Sequence, residues 1–255
     1  MTAAPSTRRD RQRQATLDEI VLVARDLLAE SQDVSLRSVA QRMGLTAPAL
    51  YRYVSSYDEL LRLVAIGLDT LMTEEVLVPA RDSQPDDDPA AQITCATIAF
   101  REWALSRKQE FGLVFANLDV VSICSDPALN STLQTAAPSG ILFTELLGRI
   151  WEKYQFPLPD LDSLEPALVE VLRNPAMPAK IDDIPDELRG LVWVFTRSWA
   201  ALYGTVTLEV FGHLDPRIIE SGVLFRQMFE DQAALLGLGD DLPRLRDLIA
   251  ERMSA

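Results

Sequence analysis

Gly44 stands between two short amphipathic stretches, Ser35 to Met43 (SLRSVAQRM) and Leu45 to Val54 (LTAPALYRYV). A glycine directly after a helical pattern supplies the left-handed residue that ends a helix and lets the chain reverse. Ser35 is placed to cap the first helix and Thr46 the second, with Pro48 tolerated in its first turn. Val39 and Met43 face inward, Ala40 is small where two helices cross, and Leu45, Leu50 and Tyr53 plug the second helix onto the first. These positions dictate two helices at a steep angle, the helix-turn-helix arrangement. Its second helix can enter a DNA major groove while the first crosses the backbone. Thr46, Ala47, Ala49, Tyr51 and Arg52 then point outward.

The rest of the chain carries the same helical period. Thr16 to Ser31 has apolar residues at i, i+3 and i+4, and Thr16 with Glu19 reads as a capping box. A fourth helix starts near Ser56 and runs to about Val76, with Leu60, Leu61, Val64, Leu68 and Leu71 on its inner face. Further helices are expected near 89–107, 109–118, 138–155 and 162–173, then over Asp186–Leu214, Pro216–Leu238 and Asp241–Met253. No β-alternation appears, so the fold class is all-α. Residues 81–89, RDSQPDDDP, read as a solvated linker between two functional parts, and the carboxylates Asp86 to Asp88 do not read as a metal site.

The net charge is −14, which at first argues against nucleic acid, but its distribution reverses that. Residues 1–62 hold nine Arg and eight acids, a net of +1, which leaves −15 on the remaining residues. Residues 1–13 carry Arg8, Arg9, Arg11 and Arg13 against one Asp, and read as a flexible basic arm that meets a polyanion.

The run from Ser35 to Leu60 resembles the DNA-binding domain of the TetR family of bacterial transcriptional regulators, through Gly44, Leu50, Tyr51, Tyr53, Glu59 and Leu60. The resemblance covers about residues 14–65 and implies a three-helix helix-turn-helix domain. It is joined to a larger helical ligand-binding and dimerisation domain over 66–255. By this resemblance Ser35, Arg37, Thr46, Ala47, Pro48, Ala49, Tyr51, Arg52, Tyr53 and Tyr57 meet a double-stranded operator, with the four N-terminal arginines adding phosphate contacts. Tyr57 stands where the family usually has Lys. Ala49 suits a thymine methyl and Tyr51 a phosphate or sugar. With Arg52 as the one outward side chain able to fork onto guanine, base reading leans on apolar contacts and DNA shape.

Residues 195–214, FTRSWAALYGTVTLEVFGHL, resemble a C-terminal ligand-binding and dimerisation domain of part of this family, marked by Trp, then His-Gly, then Leu-Glu and Gly. Trp199, Gly204, Leu208, Glu209 and Gly212 match, and Tyr203 replaces the His. The resemblance implies a homodimer through residues 186–214 and 216–238, with Leu191, Leu202, Val206, Ile219, Phe225 and Phe229 in the bundle and its supporting core. Phe100, Trp103, Phe111, Phe115, Phe143, Trp151, Trp199 and Tyr203 are candidates for the wall of a small-molecule pocket, with Thr97, Arg101 and Thr196 as polar lining. On the residues alone the same aromatic set also reads as plain core. An apolar or aromatic effector is expected, and the acidic body mildly favours a cation.

Enzyme chemistry has little to stand on. His213 is the single histidine, Cys95 and Cys124 have no histidine beside them, and no phosphate loop or nucleophile elbow occurs. The two cysteines match no metal or disulfide pattern and read as reduced thiols. No metal or cofactor is expected, nor any membrane contact, and the chain reads as cytoplasmic. The expected function is a ligand-responsive regulator, a dimeric repressor released from a pseudo-palindromic operator by a small molecule. The alternative is a dimeric helical module whose helix-turn-helix meets a protein instead of DNA.

Overall fold

A computed structural model describes residues 7–117, 137–173 and 184–254. Cys124 and the prolines at 175 and 178 lie outside the described residues. Every regular element among the described residues is a helix, with no strand among them. They form two compact units. One runs to Thr70 and takes in the segment starting at Gln109; the other holds Leu71–Lys108 and the described helices that follow. The division falls inside a helix and not at 81–89, where the sequence placed a linker. The reason is that this loop is tied down within the second unit. Asp88 accepts from the Ala91 N–H at 3.1 Å and pairs with Arg244 at 2.5 Å. Lys153 donates to the Asp87 carbonyl at 2.7 Å, and Arg149 donates to that of Asp86.

In the first unit α1 spans Arg8–Ala29, two turns more than the Thr16 start expected. Thr7 supplies the cap: its hydroxyl accepts from Asp10 N–H while the Asp10 carboxylate takes the Thr7 N–H. Arg8 to Arg13 are therefore helical and not a flexible arm. Helix α2, Leu36–Arg42, starts at Ser35, whose hydroxyl accepts from Ser38 N–H at 3.1 Å. It stops at Gly44, where φ is +68°. There Leu45 N–H bonds the Ala40 carbonyl and Gly44 N–H that of Gln41, the double bond of a Schellman turn. Helix α3 is a single turn, Ala47–Leu50, and Thr46 precedes it without a side-chain cap. Helix α4 spans Tyr57–Met72. Ile20, Ala24, Leu27, Val39, Leu50, Leu60, Val64 and Leu68 form the shared core.

The second unit begins in a π-turn, Thr73–Leu77, followed by α5, Val78–Asp82. Helix α6 (Pro89–Ser106) is the central element, with neighbours on every side. Helix α7 is short, Lys108–Phe111, and a π-turn over Gly112–Ala116 continues it; from Gln109 on this stretch belongs to the first unit. Then follow α8 (Pro138–Tyr154), α9 (Pro166–Arg173), α10 (Gly190–Val210), α11 (Pro216–Ser221), α12 (Val223–Leu235) and α13 (Leu242–Ser254). The single helix expected over Pro216–Leu238 is thus two. Gly222, at φ +62°, breaks it.

That break serves a buried ion pair. Glu209 on α10 is fully buried, and Arg101 on α6 meets it with Nε to Oε2 at 2.6 Å. The same guanidinium donates to the Ile219 carbonyl at 2.8 Å and lies 5.4 Å from the Phe225 ring centre. Burial holds the Glu209 carboxyl above its ordinary value, and the hydrogen bond and charge of Arg101 offset only part of that.

Two stability predictions follow from packing. A Cβ on Gly67 would lie 2.5 Å from Val21 Cγ2, so Gly67→Ala should cost about 1–3 kcal/mol by overpacking, and Val21→Ala should restore part of it. Arg101→Met should cost about 3–5 kcal/mol by stranding a buried carboxylate, while Arg101→Met with Glu209→Leu should cost far less. Denaturant melts of the singles and doubles check both; additive effects in either pair would contradict the assignment.

Candidate nucleic-acid interface and effector cavity

The turn at Gly44 leaves one face of α3 uncovered. Thr46, Ala47, Pro48 and Arg52 are exposed, as are Tyr51 at 51% and Tyr57 at 44%, while Ala49 and Tyr53 are half-buried. Arg37 is exposed on α2, and Arg8, Arg9 and Arg11 on the first turns of α1. Ser35 belongs to the N-terminal end of the same motif, with its hydroxyl held in the cap. Large, exposed aromatic hydroxyls beside arginines are suited to phosphate and sugar oxygens, and the small side chains at 47 and 49 let a backbone approach base edges.

Arg13 is placed differently from its three neighbours. It donates to the carbonyls of Arg52 at 3.1 Å and Tyr53 at 3.3 Å, and its guanidinium lies 5.8 Å from the Tyr53 ring centre. It ties α1 to the last turn of the α3 segment across 39 residues of sequence. Nothing in the local pattern distinguishes it from Arg11, so sequence reading assigned both to phosphates. A second tie fixes the start of α4. Ser55 donates its N–H and its hydroxyl to one Glu59 oxygen, both at 2.5 Å, and Glu59 N–H bonds the Ser56 hydroxyl at 3.1 Å. The Ser55 bonds hold the Glu59 carboxyl below its ordinary value, with Arg62 and Arg13 adding to the effect.

The second unit holds a cavity of about 60 Å³. Ile93 and Thr97 from α6 and Phe143 and Leu147 from α8 form one side. Phe195, Ser198, Trp199 and Leu202 from α10 and Met228, Phe229, Gln232 and Ala233 from α12 form the other. Of the eight aromatic candidates, Phe143 and Trp199 line this space. Phe100 backs them, its ring centre 6.2 Å from Phe143 and 5.8 Å from Trp199, and Trp103 stacks on Phe100 at 6.2 Å. Tyr203 stacks on Trp199 at 6.0 Å, one turn along α10. Trp151 is half-buried on α8 and is not among the wall residues. Phe111 and Phe115 pair with each other at 5.3 Å in the first unit, so they do not join this set. Thr97 lines the cavity, but Arg101 is committed to Glu209, and the Thr196 hydroxyl bonds the Val192 carbonyl at 2.8 Å.

Sequence reading missed Ser198, Met228 and Gln232. The signal was there. Phe195, Ser198, Trp199 and Leu202 fall at i, i+3, i+4 and i+7, and so do Phe229, Gln232, Ala233 and Leu236. Each apolar stripe carries one polar residue in its second place, where a core stripe would not.

Among the described residues no three His, Cys, Asp or Glu side chains gather as a metal site, and no helix is long and apolar enough to cross a membrane. Cys95 is a free, buried thiol.

Residues 93–232 match the profile of the Tetracyclin repressor-like, C-terminal domain. The HTH-type transcriptional regulator Rv1816 of Mycobacterium tuberculosis is 26% identical over 231 residues, spanning 88% of this chain and 93% of the relative. The regulator Mb1846 of Mycobacterium bovis matches with the same identity and coverage. The crystal structure of the regulatory protein SCO4313 shares the fold, with a TM-score of 0.55 at 23% identity over 89% of this chain and all of that one.

The Glu59 contacts carry a pH dependence with a definite sign. A carboxylate depressed in the folded state stabilises the fold above its unfolded pKa, near 4.3, and that stabilisation is lost as pH falls through the lower folded value. Glu59→Gln should therefore lower the melting temperature at pH 7 and should narrow its gap to the parent in acid. Thermal melts across pH 2–7 read this, and a gap that widens in acid would refute it.

Proposed function

Because the chain belongs to the tetracyclin-repressor-like (TetR) family of transcriptional regulators, we propose that it is a ligand-responsive repressor. In this reading a homodimer binds a pseudo-palindromic operator through α2 and α3, and a small apolar or aromatic molecule in the second unit releases it. The observation that carries it is the uncovered α3 face, where Thr46, Ala47, Pro48, Tyr51 and Arg52 stand exposed beside an arginine-bearing α1. In a protein whose net charge is −14, such a face is suited to a polyanion.

We assign the dimer to α10 together with α11 and α12, where most of the residues expected in the bundle and its supporting core take the second of those roles. Leu191, Leu202, Val206, Phe225 and Phe229 are buried within the single chain and form its own core. Leu208, Phe211 and Val223 are the large apolar side chains left exposed on those segments. To meet successive major grooves, the two α3 helices of such a dimer must stand about 34–36 Å apart, or a multiple. Effector binding should weaken operator binding roughly 5–150-fold, and operator must weaken effector binding by the same factor.

The test is operator binding by a labelled pseudo-palindromic duplex at several salt concentrations. Affinity should fall steeply with salt. Arg37→Ala should flatten the log–log slope by about 2, one phosphate contact per subunit of a symmetric dimer. Tyr51→Ala should abolish binding with the fold intact. Parent-like binding by Tyr51→Ala would overturn the assignment of α3 as the reading helix.

A further inference from the structure

Two polar atoms in the cavity wall are left over after every contact within the fold is made. Ser198 Oγ on α10 and Gln232 Oε1 on α12 are shielded from solvent and have no hydrogen-bond partner among the described residues. Both belong to the same cavity. A serine or threonine inside a helix ordinarily returns its hydroxyl to the carbonyl one turn back. Thr94 and Thr196 do so, to Ala90 at 2.6 Å and Val192 at 2.8 Å, and the wall residue Thr97 bonds the Thr94 carbonyl at 2.9 Å. Ser198 does not. A buried polar atom left unpaired is destabilising, so two in one small cavity mark groups kept for something other than the fold.

We propose that Ser198 and Gln232 form the polar recognition pair of this cavity, and that the molecule they select is a compact, uncharged, mostly apolar compound bearing a hydroxyl group, such as a phenol. The proposal rests on the effector-binding reading of the second unit given above. The remaining walls fix the class. They are Ile, Thr, Phe, Leu, Trp, Met and Ala, with no Asp, Glu, Lys, Arg or His among them. A charged ligand would be desolvated there with no counter-ion, so the cation suggested by the acidic composition is not favoured. Gln232 Oε1 can only accept a hydrogen bond, whereas the Ser198 hydroxyl can donate one. A ligand hydroxyl both donates and accepts, so one group answers both atoms, whereas a carboxylate, which only accepts, leaves Gln232 Oε1 unanswered. A cavity of about 60 Å³ takes four to six waters at roughly 10–15 Å³ each, about the bulk of one ring. Met228, with an unbranched side chain, is the wall most able to adjust around it. Trp199 lies in the wall as a reporter.

The full chain is titrated with phenol, toluene and benzylammonium, read by tryptophan fluorescence and calorimetry. Phenol should bind about tenfold more tightly than toluene, and benzylammonium should not bind measurably. Ser198→Ala and Gln232→Met should each weaken phenol about fivefold or more and leave toluene unchanged, and Ser198→Thr should recover part of the preference. Without ligand, both variants should melt at or above the parent temperature, since each removes a buried polar atom that has no partner to lose. Equal affinity for phenol and toluene, binding of none of the three, selectivity that survives both substitutions, or a clear drop in melting temperature would each overturn the pair. Operator binding is measured separately. Selective phenol binding with an unmoved operator isotherm would leave the pair standing and remove the regulatory reading. Release of the operator by a molecule indifferent to both substitutions would do the reverse.

Discussion

Glu209 has no access to solvent, and the second unit is arranged around neutralising it. Arg101 reaches it from α6 across 108 residues of sequence and donates a further N–H to the Ile219 carbonyl. That carbonyl is shared with the Gly222 N–H at 3.1 Å, where the left-handed backbone ends α11. A Cβ at 222 would strike the Met253 methyl, so the last helix also closes over this point. One ion pair thus joins α6, α10 and α11. A buried pair of this kind contributes little net stability, because desolvation offsets the attraction. Its effect is on specificity of packing. With α6 and α10 pinned at their far ends, the space between them, α8 and α12 keeps a fixed outline, and the cavity lies there.

The first unit solves a different problem. Helix α3 is one turn long, too short to be stable by itself, yet it has to present a fixed face. It is held from both ends. The Schellman turn at Gly44 sets its entry, and Arg13 binds the Arg52 and Tyr53 carbonyls at its exit. Leu50, fully buried, anchors the middle. The arginine that looked like part of a loose arm is therefore a strut, and α1 has to begin before residue 13 to place it. The three arginines before or beside it stay exposed, which divides one basic cluster into a structural member and three surface charges.

The all-α class, the helix-turn-helix and its caps at Ser35 and Gly44 were legible in the sequence because each depends on residues within one or two turns of each other. Helical period, a capping hydroxyl and a glycine after the last apolar residue are local signals. So was the family, whose marks in residues 35–60 are a fixed spacing of small, glycine and aromatic positions. Local signals failed where two patterns competed. Thr16 and Thr7 both precede a carboxylate three residues on, and the earlier one caps α1 because the helix between them had nothing to interrupt it.

What the tertiary structure alone decided is which members of a local pattern share a space. Eight aromatic residues looked alike as pocket candidates; the fold brings Phe143 and Trp199 to the cavity, stacks Phe100, Trp103 and Tyr203 behind or beside them, and keeps Phe111 and Phe115 in the other unit. Period fixes the face of a helix but not its neighbour, and burial depends on the neighbour. The same limit hid the partner of Arg101, the second role of Asp88 and the unpaired oxygens of Ser198 and Gln232. A hydrogen bond, made or missing, across a hundred residues is set by how helices pack, and no window of sequence contains both of its ends.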